Sequence, residues 1–103
     1  MRMMLLVTYS TKKFNELWRQ GQVGPAIQKI VEDIKPEAIY FGRGGASGKR
    51  GAVVIVDVPT PADVARVTEP WYLTFEASVD TCVCMLPEDI AKIDMDGLAE
   101  KYC

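Results

Sequence analysis

The sequence predicts an α+β domain, a four-stranded antiparallel sheet with two helices on one face. Three observations carry this. Met3-Met4-Leu5-Leu6-Val7 and Ala52-Val53-Val54-Ile55-Val56 are apolar at every position, the pattern of strands that need cover on both faces. Two segments with helical spacing lie between the strands, enough to cover one face, so the other face calls for a second source of cover, most simply another copy of the chain. The length of 103 residues fits one domain, 1–103, with a single core, near the size where association usefully adds buried area.

The first strand runs from about Arg2 to Tyr9, and Ser10-Thr11 then supplies capping hydroxyls for a helical segment over about Lys12 to Ile34. Gly21 and Gly24-Pro25 break that segment into a short piece around Phe14, Leu17 and Trp18 and a main piece with Ile27, Ile30, Val31 and Ile34 on one side. Lys35-Pro36 ends it. The second strand, about Glu37 to Arg43, and the third, about Ala52 to Val58, form a hairpin whose long tip is the glycine-rich run Gly42 to Gly51. A second helix opens at Pro61 and runs to about Thr68, where Pro70 kinks it ahead of Trp71, Tyr72, Leu73 and Phe75. The fourth strand covers about Ser78 to Leu86, with Val79, Thr81, Val83 and Met85 as its core side. A helical tail over about 87–103 opens at Pro87-Glu88-Asp89 and carries Ile90, Ile93 and Leu98. The order β-α-β-β-α-β plus a tail is the split β-α-β plan, ferredoxin-like in topology.

Many activities share this plan, so residues must discriminate among them. A net charge of −2 gives no general attraction to nucleic acid or to an anionic membrane. The third strand also lacks the aromatic side chains with which RNA-recognition modules stack bases, since Ala52, Val53 and Val54 follow Arg50-Gly51. No apolar run approaches the ~18 residues of a membrane span. The chain contains no histidine, which removes histidine-dependent triads, histidine-ligated haem and the common catalytic zinc sites. Three cysteines cannot ligate a four-thiolate cluster. Their odd number makes no disulfide framework, and a reducing cytoplasm is expected. No metal and no permanent cofactor is expected.

The run Gly42 to Gly51 resembles a phosphate cradle but fails the spacing, with Arg43 and Arg50 where a Walker loop needs glycine and a hydroxyl, and a strand rather than a helix follows. It reads as a hairpin tip, with Arg43, Lys49 and Arg50 as an anion-gathering rim in the second reading. Cys82 and Cys84 share one side of the fourth strand, as small buried hydrophobic residues or, in the second reading, as redox or metal groups. Tyr40, Asp57 and Asp80 are the candidate catalytic residues, because a carboxylate beside a tyrosine in a semi-enclosed apolar site can move a proton. The bland alternative is a hydrogen-bonded interface network. Trp71, Tyr72 and Phe75, with Arg43, are the candidate ligand-binding residues, the aromatic rings suiting a flat organic molecule if a gap remains between helices and sheet.

At Lys35-Pro36-Glu37-Ala38-Ile39-Tyr40-Phe41, Glu69-Pro70-Trp71-Tyr72-Leu73 and Leu86-Pro87-Glu88-Asp89-Ile90, the chain resembles an uncharacterised family of small bacterial proteins within the dimeric α+β barrel superfamily. The likeness extends through about Ile93. Relatives by fold include antibiotic-biosynthesis-type monooxygenases, muconolactone isomerases and haem-degrading enzymes. The resemblance implies a homodimer that accepts a small organic ligand. It permits either a cofactor-independent monooxygenase or isomerase acting on a small aromatic or polyketide-like compound, or a non-catalytic ligand-binding or assembly module.

Overall fold

The computed structural model describes residues 1–44 and 47–103; Gly45 and Ala46 of the glycine-rich run lie outside the described residues. Four strands, β1 (Arg2–Thr8), β2 (Ala38–Gly44), β3 (Lys49–Asp57) and β4 (Ser78–Val83), form one antiparallel sheet in the order β2-β3-β1-β4. The order is compatible with a ferredoxin-like arrangement. Helices α1 (Thr11–Arg19), α2 (Val23–Ile34) and α3 (Pro61–Phe75) follow β1 and β3, and two short helices, α4 (Pro87–Ile90) and α5 (Met95–Tyr102), make the tail. Among the described residues no helix is long and apolar enough to cross a membrane.

Strand alternation decides which side chains meet the helices. Met3, Leu5, Val7 and Tyr9 from the first strand and its end, with Ala52, Val54, Val56 and Val58 from the third, are buried against Ile30, Ile34, Val67, Trp71 and Phe75. The alternate residues Met4, Leu6, Val53 and Ile55 stand on the opposite face, half-buried or exposed. The two all-apolar strands are thus sandwiched on one side only.

The predicted first helical segment is two helices, and the break falls at Gly21, whose φ is 68°. Gly24 and Pro25 belong instead to the first turn of α2, where a missing N–H leaves no intrahelical bond unmade. Lys35, left-handed at φ 48°, donates its N–H to Val31 and closes α2. Pro70 does not end α3, which runs unbroken to Phe75. Val67, Trp71 and Phe75 recur every four residues and are fully buried; burying such a set contributes roughly 1.5–3 kcal/mol per side chain, more in total than the ~3 kcal/mol an interior proline costs. Thr60 and Asp63 cap its start, the Thr60 N–H and hydroxyl both donating to the Asp63 carboxylate at 3.1 and 2.7 Å.

The hairpin tip is shorter than predicted, because β2 and β3 pair as far as Gly44 and Lys49. Glycines keep their backbone donors and extend the ladder. β4 stops at Val83 rather than Leu86: the Cys84 N–H reaches Arg2 O at 2.9 Å, and β1 begins there, so nothing remains to pair. Of the predicted core side of β4 only Val79 packs on the core; Thr81, Val83 and Met85 are exposed because the helices do not reach this edge strand. Cys82 is likewise exposed and Cys84 only half-buried, since both stand beyond the helix-covered side.

Candidate functional site

The open face of the sheet is ordered in transverse rows. Registers place Tyr40 opposite Val53, Val53 opposite Leu6, and Leu6 opposite Asp80. One row therefore runs tyrosine, valine, leucine, aspartate from edge to edge. The next row toward the hairpin tip has Gly42 opposite Gly51, and Gly51 opposite Thr8. Two facing glycines leave a gap in side-chain cover. A hollow of about 540 Å³ lies here, lined among others by Leu6, Val53, Tyr40, Arg43, Ser47 and Asp80. Its floor is apolar and its polar groups stand at the edges, the usual division between grip and orientation in a small-molecule site.

Gly51 is fixed by geometry. A β-carbon there would run into the carbonyl oxygen of Val7, so β3 can lie this close to β1 only with glycine at this position. Nearby, Arg50 points toward the helices, donating to Asn15 Oδ1 at 2.9 Å and lying over the Phe14 ring at 4.5 Å. Arg43 sits opposite Arg50 in the ladder and so shares its side of the strand, while the residue also borders the hollow at its hairpin end.

Of the candidate catalytic residues, Tyr40 and Asp80 line this hollow, separated by three strand spacings, about 14 Å. Asp57 is elsewhere. It pairs with Arg2 in the ladder at the other end of the sheet and accepts from the amino group of Met1 at 2.9 Å. Beside it Arg2 grips Glu37 through two hydrogen bonds of 2.8 and 3.0 Å, which hold the Glu37 carboxyl below its usual range.

The candidate ligand-binding aromatics lie across the sheet from the hollow. Trp71 and Phe75 are buried in the layer between sheet and helices, with Tyr9 and Phe14 against them at centroid distances of 4.6–6.3 Å. Tyr72 is more than a third exposed and donates to Val79 O at 3.4 Å. Arg43 alone of the four joins Tyr40 and Asp80. Within the aromatic layer the Tyr9 hydroxyl and Trp71 Nε1 are buried without hydrogen-bond partners, and burial pushes the Tyr9 phenol up to about 12.

Sequence reasoning missed the floor of the hollow. Gly42 and Gly51 were legible as glycines, but their meeting across two strands required the register, and the alternation of Leu6 and Val53 toward the open face required knowing which side the helices take. Among the described residues no group of three cysteines and carboxylates converges as a metal site would. Compared with models of known protein families and with curated proteins, the chain matches none.

Proposed function

We propose that the protein is a homodimer, built as a dimeric α+β barrel, that binds a small and largely apolar organic molecule in the hollow on the open sheet face. The observation that carries this reading is the hollow itself: an apolar floor of Leu6 and Val53 with Tyr40, Arg43 and Asp80 at its edges, open on the side where a second sheet would lie. Met4, Leu6, Val53 and Ile55 extend the apolar surface around it, and a second copy removes that surface from water.

Binding is favoured over proton transfer within one copy. Tyr40 and Asp80 stand about 14 Å apart, whereas direct transfer needs hydrogen-bond distance. A cofactor-independent monooxygenase or isomerase therefore needs a ligand or a partner chain to bring a second polar group to either residue. In the assembly reading, the partner's side chains fill the hollow and no ligand enters.

A thermal-shift screen of aromatic acids, quinones and lactones tests the proposal. A ligand present at a hundredfold excess over its dissociation constant stabilises the fold by ~2.7 kcal/mol. Tyr40→Phe and Asp80→Asn weaken binding of the hit with the fold intact. A dimer that none of these compounds stabilises is an assembly module.

A further inference from the structure

The tail of this chain is apolar and acidic. Among the described residues no element packs on α4 or α5 with more than a glancing contact. Ile90, Ile93, Met95, Leu98 and Tyr102 are all exposed, and Met95, Leu98 and Tyr102 fall on one side of α5 by their spacing. Residues 87–103 hold five carboxylates, Glu88, Asp89, Asp94, Asp96 and Glu100, against two lysines. An amphipathic segment of this kind gains nothing from standing in water.

The β2–β3 hairpin has the opposite character. From Ala38 to Val56 the chain carries Arg43, Lys49 and Arg50 and no acidic residue. Among the described residues none of these three basic groups is in an ion pair. Tyr40, more than half exposed, provides apolar surface on the same side of the ladder as Lys49, whereas Phe41 stands on the helix side opposite Ala52.

The tail leaves the sheet at the end opposite the hairpin tip of its own chain. β4 ends at Val83, which pairs with Met3, whereas the tip lies past the other end of the ladder, where Thr8 pairs with Gly51 and Gly44 with Lys49. The two points are about 23 Å apart along the strands at the usual rise per residue, and the tail leaves at the end away from the tip. The longest dimension of the chain is 59 Å. A second copy turned end for end brings its hairpin to the end of the sheet at which the tail emerges, and a two-fold axis then makes the same contact twice.

Resting on the homodimer reading above, we propose that α4 and α5 of each copy dock on the open face of its partner's β2–β3 hairpin, with the apolar side of the tail against Tyr40 and its carboxylates facing Lys49. Each hollow is then bordered by a segment of the other chain. The partner tail both covers its own apolar residues and narrows the entrance above Tyr40.

The test mixes nitrogen-15-labelled and unlabelled full-length protein, measures mass by sedimentation, and joins amines to carboxylates with a zero-length carbodiimide. A dimer in which Lys49 is joined to Asp94, Asp96 or Glu100 in peptide pairs of mixed isotope supports the exchange. Lys49→Glu then raises the dimer dissociation constant about tenfold, the double variant Asp96→Lys, Glu100→Lys does the same, and all three substitutions together recover much of the loss. A dimer whose Lys49 crosslinks are absent or confined to one isotope, and whose dissociation constant ignores these reversals, overturns the tail exchange and leaves the dimer standing. A monomer overturns both.

Discussion

Tyr9 places a phenol among aromatic rings with no acceptor for its hydroxyl, a configuration that costs more than it returns. Leaving a buried donor unpaired forfeits on the order of 1–3 kcal/mol, so Tyr9→Phe, which keeps the ring contacts, raises stability by roughly 1 kcal/mol in thermal or urea denaturation. The same residue sets an alkaline limit. Its phenol ionises at about 12 in the folded chain, above the ordinary value near 10. The unfolded chain therefore releases this proton first, so Tyr9 ionisation leaves stability unchanged below pH ~10 and lowers it as pH rises toward 12. Tyr9→Phe flattens this part of the stability curve; an unchanged curve shows that other groups govern alkaline unfolding. Gly51→Ala acts in the reverse sense. Its β-carbon meets the Val7 carbonyl, so β3 must move from β1, and a loss of about 1–3 kcal/mol is expected together with a changed hollow. Retained stability and ligand response would place the hollow elsewhere.

Helix α3 shows burial overriding a local signal. Pro70 removes the N–H that would bond to the Arg66 carbonyl, yet Val67, Trp71 and Phe75 hold the helix together across it. Pro70→Ala is expected to stabilise the chain by about 1–2 kcal/mol, the restored bond and better helix propensity outweighing the greater freedom of the unfolded state. A destabilised variant would show that the Pro70 ring packs in a way its helix needs. This is also where the sequence was read short. Strand identities, the antiparallel order and the closing of α2 at Lys35-Pro36 followed from apolar runs and turn residues. The path of α3 did not, because the cost of a proline is local whereas the gain from Trp71 and Phe75 depends on a sheet not yet placed. Of the candidate site, Tyr40, Asp80 and Arg43 were legible as polar residues within or beside strands of alternating side chains. Their meeting in one hollow depended on cross-strand register, and Asp57 left the group because the same register takes it to the far end of β3.

At the scale of the whole molecule, the two central strands carry apolar side chains toward both faces of the sheet, in opposite circumstances. Leu5 is fully buried against the helices, and Leu6, its neighbour in sequence, is 39% exposed on the open side. A pair of matched substitutions separates what the fold needs from what the dimer needs. Leu5→Lys puts an ammonium in an apolar core without a counter-charge, a cost of several kcal/mol that a domain of this size does not survive. Leu6→Lys leaves the helix side untouched and its charge in water, so circular dichroism and cooperative unfolding persist. Two such lysines at the proposed two-fold interface would meet like charge and lose the apolar contact, and sedimentation is then expected to find a folded monomer in place of the proposed dimer. If the parent chain dimerises as proposed, linkage requires its melting temperature to rise with protein concentration, and that of Leu6→Lys does not. Were Leu6→Lys still to sediment as a dimer with the parent's concentration dependence, the copies would meet elsewhere, and the hollow beside Leu6 would lie open to solvent in the assembled protein.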